Sequence, residues 1–127
     1  MRDKEKHQQE IRSYRDLVVW QRAMELVVAV YKLTRTFPSE EMFCLTSQLR
    51  RTAVSIPSNI AEGYGRTSTG EYKQFLGHAR GALWELETQV LIAKQLNYLN
   101  GSEVQRLLDL AAETGRTLHG LLSSLKR

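Results

Sequence analysis

The chain has 127 residues, with 18 Lys and Arg against 14 Asp and Glu, and a net charge of +4. This length suits one domain with its own core, and the single cysteine, Cys44, excludes an internal disulfide. No apolar run is long enough to cross a membrane and no signal peptide is recognisable, so we expect a soluble, cytoplasmic protein. The positive balance favours an anionic partner without identifying one.

Residues 1–13 are polar and charged without helical periodicity, which predicts a flexible lead-in to a helical domain over residues 14–127. A first helix is predicted from about Asp16 to Arg35, with two apolar stripes at helical spacing. Two stripes exceed what one buried face of a bundle needs. Either the helix is deeply buried, or, as we favour, the second stripe packs on another subunit. The first stripe contains Leu17, Trp20, Met24, Val27 and Tyr31, and the second contains Val19, Ala23, Leu26, Val30 and Leu33.

A second helix is predicted to begin after Pro38, with Ser39 as its N-cap and two glutamates in its first turn. Pro57 removes one backbone donor and clashes with the preceding turn, yet the apolar line continues past it in phase. We therefore predict one kinked helix that ends at Gly63 or Gly65 in the left-handed conformation. The apolar line consists of Leu45, Leu49, Ala53, Ile56, Ile60 and Tyr64.

A third helix is predicted from Ser68, which forms a capping box with Glu71, to about Asn97. Apolar or small residues recur in it every seven positions, as at the seam of a left-handed bundle. A fourth helix follows the turn at Leu99-Asn100-Gly101, with Ser102 and Gln105 as a second capping box. Its heptad pattern contains Val104, Ala111, Leu118 and Leu125 together with Leu108, Gly115 and Leu122.

Short connections between long helices favour antiparallel neighbours. We therefore predict an all-α, up-down-up-down four-helix bundle with a proline-kinked second helix. None of the three histidines has a glutamate three residues before it, so the di-iron carboxylate motif is missing and we expect no metal site. Cys44 lies between apolar residues and is expected to be an inert, partly buried thiol. No set of acid, base and nucleophile emerges, so we expect neither an enzyme nor a cofactor.

The segment SIPSNIAEGYGR, from Ser55 to Arg66, places Asn59 and Glu62 close to Pro57. Their side chains could satisfy backbone groups that Pro57 leaves unpaired, or hydrogen-bond across a helix contact, and we favour this structural interpretation. The alternative is a ligand or partner site.

Three arginines are the candidates for phosphate contacts. Arg50 and Arg51 are adjacent, and Arg66 lies beyond the proline, beside the predicted start of the third helix. The alternative for Arg50 and Arg51 is that they are ordinary solvated arginines or that they pair with Glu40 or Glu62.

Four stretches of this sequence resemble the four-helix-bundle proteins encoded in intervening sequences of bacterial 23S ribosomal RNA genes. They are DLVVWQRAMELV from Asp16, FPSEE, LTSQLRRTAVSIPSNIAEGYGR, and EYKQFLGHARGALWELETQVLIAKQLNYL. The resemblance implies long antiparallel helices and, in relatives, a ring-like homopentamer. It also extends to a distant cousin, the accessory variability protein of diversity-generating retroelements, which binds nucleic acid and a reverse transcriptase through basic surfaces. The positions that match the family's central motif are Arg50, Arg51, Pro57, Asn59, Glu62, Gly63 and Arg66.

The family has no agreed catalytic residues, so the resemblance implies no activity. We therefore expect a non-enzymatic, oligomeric bundle that acts as an RNA or nucleic-acid-associated adaptor linked to ribosomal RNA intervening sequences. The alternative is a scaffold that binds another protein and makes no direct contact with nucleic acid.

Overall fold

The structure, a computed structural model, describes residues 10–125. This part of the chain contains no strand, which confirms the predicted all-α class. Three short 3-10 turns, at Tyr14–Asp16, Thr34–Thr36 and Ser39–Glu41, accompany four α-helices. The helices are α1 (Val18–Leu33), α2 (Leu45–Tyr64), α3 (Thr69–Gln95) and α4 (Gly101–Ser124).

Each helix packs against the next one in the chain, and α1 also packs against α4, so the four helices enclose one core. This arrangement confirms the four-helix bundle, while the alternating direction of the helices stays a prediction. The lead-in predicted over residues 1–13 lies mostly outside the described residues. Every helix supplies fully buried side chains to the core, among them Leu26, Leu49, Ile56, Leu76, Leu86, Leu107 and Leu118.

The second apolar stripe of α1 does not have the role that was predicted for it. Val19, Leu26 and Val30 of the second stripe are buried inside the subunit, so the prediction that this stripe packs on another subunit is wrong. The reason is that α1 contacts both α2 and α4 and uses this stripe for both neighbours. In the first stripe, by contrast, Met24 and Tyr31 are exposed.

The start of α2 differs from the prediction. Ser39 begins a separate 3-10 turn, and α2 begins six residues later at Leu45. The carboxylate of Glu41 accepts the Leu45 N–H at 3.1 Å, so an acidic side chain from the preceding turn caps the helix. Cys44, which directly precedes Leu45, is exposed rather than partly buried.

Pro57 lies within α2, which runs through it as one helix, and Ile56 and Ile60 on either side are fully buried. The bend itself stays a prediction. The predicted left-handed ending is wrong, because Gly65 closes the helix at φ −81° and its N–H donates to the carbonyls of Ala61 and Gly63. Among the described residues other than glycine, Asn97, just after α3, has a positive φ, 63°.

The ends of α3 and α4 are set by polar caps. Ser68 accepts the Glu71 N–H at 3.1 Å, which confirms it as the N-cap of α3, but the return bond from the Glu71 side chain that a capping box needs is not formed. The cap of α4 is Asn100, in a reciprocal capping box with Glu103, and not the predicted Ser102 with Gln105.

The buried face of α4 is turned slightly from the predicted one. Leu107 and Thr114 are buried, whereas Leu108 and Gly115 are only half-buried. Thr114 can enter the core because its hydroxyl donates to the Leu110 carbonyl at 2.8 Å. This rotation leaves the small residues Ala112 and Gly115 towards the seam with α3.

Candidate nucleic-acid interface

A groove of about 400 Å³ opens where α1 and α2 meet the loop before α2. Two of the arginines singled out in the sequence line it, together with two aromatic rings. We call it the basic–aromatic groove and define it by Tyr31, Phe43, Ser47, Arg50, Arg51 and Val54.

Phe43 is the most exposed large apolar residue of the described part of the chain, with 92% of its surface open to solvent. It lies in the short loop between the third 3-10 turn and α2. Glu41 anchors this loop, because its carboxylate accepts both the Leu45 N–H and the hydroxyl of Tyr98, the latter at 2.9 Å. The hydrogen bond to Glu41, with some burial, raises the pKa of Tyr98. The loop is therefore tied to α2 and to the turn after α3 while the Phe43 ring faces water.

Arg50 is half-buried and is held against α1. Its Nε donates to the Thr34 hydroxyl at 2.9 Å, and its guanidinium lies 4.8 Å from the centroid of the Tyr31 ring. Thr34 in turn donates to the Val30 carbonyl at 2.8 Å. These contacts fix the direction of the guanidinium but leave its other N–H groups for a further acceptor.

Arg51 is exposed, and one of its terminal nitrogens donates to the Ser47 hydroxyl at 3.0 Å. Among the described residues neither Arg50 nor Arg51 forms an ion pair. The alternative interpretation that they pair with Glu40 or Glu62 is therefore wrong. Neither positive charge of the groove is therefore held in a direct ion pair within residues 10–125, although Glu85 of α3 lines a neighbouring cavity together with Arg51.

Arg66 does not join this groove. It follows the end of α2, and the helix rise of about 1.5 Å per residue separates Arg50 from Tyr64 by about 21 Å. There the guanidinium pairs with Glu62 at 2.6 Å and lies 4.7 Å from the centroid of the Phe75 ring. Arg66 and Glu62 thus form a local surface pair.

Asn59 and Gly63 have structural roles within α2. The Asn59 amide donates to the Ser55 carbonyl at 2.8 Å, whereas the carbonyl that loses its donor to Pro57 belongs to Ala53. Asn59 therefore bonds to the backbone of its own helix and does not satisfy the carbonyl that Pro57 leaves without a donor, so this part of the structural interpretation is wrong. Gly63 is buried, and a Cβ added to it would lie 2.8 Å from the Cβ of Phe75. This glycine allows α2 and α3 to approach closely.

A second cavity, of about 350 Å³, lies in the same α1–α2 seam and shares Val54 with the basic–aromatic groove. We call it the apolar furrow and define it by Trp20, Met24, Val27, Val54, Pro57 and Ala61. The first stripe of α1 supplies one wall and the proline segment of α2 supplies the other. An apolar surface therefore extends along the seam from the two arginines.

The sequence predicted the two arginines of this site but missed its aromatic side chains. In the sequence Tyr31 belongs to an apolar stripe, and Phe43 is an apolar residue next to Cys44. Neither pattern shows that the ring of Phe43 is left in solvent, since that depends on where α2 begins. Within residues 10–125, no three His, Cys, Asp or Glu side chains cluster closely enough to hold a metal ion. No helix there is long and apolar enough to cross a membrane.

Comparison with known proteins assigns the fold and the family. The structure is similar to a crystal structure at 1.70 Å of a protein of unknown function from the S23 ribosomal protein family of Bacteroides thetaiotaomicron VPI-5482. The TM-score is 0.77 at 20% identity, over 84% of this chain and 96% of the other, a likeness that supports the fold. No curated protein matches this chain significantly. The model of the 23S rRNA-intervening sequence protein family matches residues 15–120, and the chain therefore belongs to that family.

Proposed function

We propose that this protein is a non-enzymatic, self-associating bundle that binds RNA through the basic–aromatic groove and acts as an adaptor linked to ribosomal RNA intervening sequences. The observation that carries the proposal is the position of Phe43 beside Arg50 and Arg51 in one groove. Base stacking on aromatic rings, combined with cations along the backbone, is how proteins commonly hold unpaired nucleotides.

The geometry of the two arginines supports different roles for them. Arg50 is oriented by Thr34 and Tyr31, so it presents a directed guanidinium that suits the bidentate contact of a phosphate. Arg51 is more exposed and contributes mainly through its charge. Phe43 supplies the exposed face on which an unpaired base can stack.

Self-association is proposed through the apolar furrow. Met24 and Val54 are exposed there beside the half-buried ring of Trp20. A contiguous apolar surface of this kind is typical of an interface. A second copy of the chain is the occupant that agrees with the homopentamer implied by the family resemblance. The basic–aromatic groove would then lie at the edge of the subunit contact, because the two cavities share Val54.

The proposal is tested by fluorescence anisotropy of a labelled hairpin from a 23S ribosomal RNA helix. We expect wild type to bind, and we expect both Arg51→Glu and Phe43→Ala to bind at least tenfold more weakly, since each removes a phosphate or stacking contact. Lys94→Glu is the matched control. It makes the same change in charge at an exposed position of α3 that lines neither cavity. No binding by wild type, or equal losses in Arg51→Glu and Lys94→Glu, would contradict the proposal.

A protein-binding scaffold is the second candidate. It is favoured by the almost complete exposure of Phe43 and by the adjoining apolar furrow, which a protein partner could also cover. The absorbance ratio at 260 and 280 nm of gently purified protein separates the two candidates. A nucleic-acid-free preparation that carries a stoichiometric protein partner would favour the scaffold.

A further inference from the structure

A second groove, of about 410 Å³, lies between α3 and α4 and shares no residue with the basic–aromatic groove. The α1–α2 and α3–α4 seams lie on different sides of the bundle, since each helix packs against its neighbours in chain order. The volume falls within the range of about 300 to 1,000 Å³ that is typical of small-molecule sites. We call this cavity the α3–α4 groove.

Small residues on α4 keep this groove open. Ala111, Ala112 and Gly115 face the seam, and a Cβ added at Gly115 would stand 3.9 Å from the nearest atom of Leu83 on α3. The seam therefore has an apolar floor without a large side chain to fill it. The opening is a consequence of the turned face of α4, which buries Leu107 and Thr114 instead.

Trp84 forms a wall of this groove and is 62% exposed. Tryptophan is a residue type that is enriched at binding interfaces, where its ring combines an apolar body with a polar N–H. The guanidinium of Arg80 lies over the ring, 5.6 Å from its centroid, so a cation stands against one face of the indole. The indole thus offers a stacking face with a positive charge beside it.

The charges around the groove select the chemistry of the occupant. Arg80, Arg116 and His119 line it, and Glu87 is the acidic residue of its lining. Among the described residues neither Arg80 nor Arg116 forms an ion pair. An anion is therefore favoured at the rim and a flat, π-rich group is favoured against Trp84.

We propose that the α3–α4 groove binds one unpaired nucleotide of a single-stranded nucleic acid, with the base stacked on Trp84 and the phosphate held by Arg80 and Arg116. A nucleotide combines the two features that the groove requires, a planar ring and an adjacent negative charge. The inference goes beyond the proposed function, because it adds a nucleotide site that is separate from Arg50 and Arg51. One subunit could then contact two segments of an RNA.

The test uses a labelled uridine octamer and the full-length Arg50→Glu/Arg51→Glu variant, which lacks the positive charges of the basic–aromatic groove. We expect this variant to retain octamer binding, and we expect Trp84→Ala in the same background to weaken it about tenfold. Trp84→Phe, which keeps an aromatic face, should restore most of the affinity. Because Trp84 is exposed, its substitutions should not disturb folding, and circular dichroism checks every variant, including the parent in which the half-buried Arg50 is replaced.

A second readout follows the ring itself. The chain has two tryptophans, so in a Trp20→Phe background the fluorescence of Trp84 alone should be quenched as the octamer is added. Unquenched fluorescence, or equal affinities of Trp84→Ala and its parent, would overturn the inference. A Trp84→Ala variant that changes subunit number but not octamer affinity would also overturn it and would assign the groove to a protein contact. Loss of octamer binding on Arg50→Glu/Arg51→Glu alone would refute the second site and leave the proposed function standing.

Discussion

The hydroxyl of Tyr98, in the turn after α3, donates a 2.9 Å hydrogen bond to the carboxylate of Glu41, which also caps α2 by accepting the Leu45 N–H. Tyr98→Phe removes the bond between these two segments and should lower the midpoint of thermal unfolding. It should also make the loop that carries Phe43 more sensitive to proteolysis. Tyr64→Phe is the control, because among the described residues the Tyr64 hydroxyl makes no hydrogen bond. Equal melting temperatures for the two variants would contradict this role.

The same bond predicts a loss of stability at high pH. The hydrogen bond to Glu41 raises the pKa of Tyr98, and burial raises that of Tyr72, both above the usual value of 10.0. A raised folded-state pKa gives stability that is complete below the unfolded value and is lost as the pH rises through the folded one. The free energy of unfolding should therefore fall above about pH 10, and less steeply in Tyr98→Phe. A steeper fall in that variant would contradict the assignment.

Gly63→Ala should destabilise the bundle by about 1 to 3 kcal/mol, because the new methyl group would press on Phe75 and Tyr72 where α2 and α3 approach closely. The matched control is Gly77→Ala on α3. No atom lies within 4 Å of a Cβ added there, so alanine should stabilise that helix by about 0.5 to 1 kcal/mol. Urea unfolding measures both values, and a stabilised Gly63→Ala would show that the close approach is not required.

Thr34 and Thr46 are each only 2% exposed but differ in their hydrogen bonds. Thr34 donates to the Val30 carbonyl and accepts from Arg50, whereas the Thr46 hydroxyl has no partner among the described residues. Thr34→Val should therefore cost about 1 to 2 kcal/mol, and Thr46→Val should gain about 1 kcal/mol. The two substitutions remove the same group, so each is the control of the other in denaturant unfolding. The same sign for both would contradict the hydrogen-bond account.

The self-association proposal predicts that Val54→Asp, which charges the apolar furrow, gives a monomer in light scattering at micromolar concentration. Burial of an unpaired carboxylate in a subunit contact is strongly unfavourable. Val18→Asp is the control, since Val18 is also about half exposed but does not line the furrow. A monomeric wild-type protein would contradict this part of the proposal.

Most of the fold could be predicted from periodic patterns. The apolar lines of α2 and α3 show which side chains enter the core, because a helix places residues three and four positions apart on one face. The ends of the helices were harder to predict. Ser39 and Ser102 have the residue type of an N-cap, but the N-cap positions of α2 and α4 are held by Cys44 and Asn100. The first N–H of α2 is satisfied by Glu41 of the preceding turn, a contact that depends on how the chain turns.

The candidate site was less predictable than the fold for a physical reason. Arg50 and Arg51 are visible in the sequence as an adjacent pair, but their relation to Phe43 and Tyr31 depends on the packing of α1 against α2. Gly63 shows the same limit. Its position near the end of α2 predicted a left-handed cap. The structure shows instead that a Cβ at this position would collide with Phe75 on α3, so glycine is required by the packing of the two helices.

The measurement that tests the central claim most directly is the salt dependence of RNA affinity in wild type and in Arg51→Ala. Each phosphate contact releases counterions, so the logarithm of the binding constant should fall linearly with the logarithm of salt concentration. Loss of Arg51 should reduce the slope by about 0.7 to 0.9, whereas Lys94→Ala should leave it unchanged. An affinity that does not change with salt, or the same slope for Arg51→Ala and wild type, would contradict RNA binding through the basic–aromatic groove.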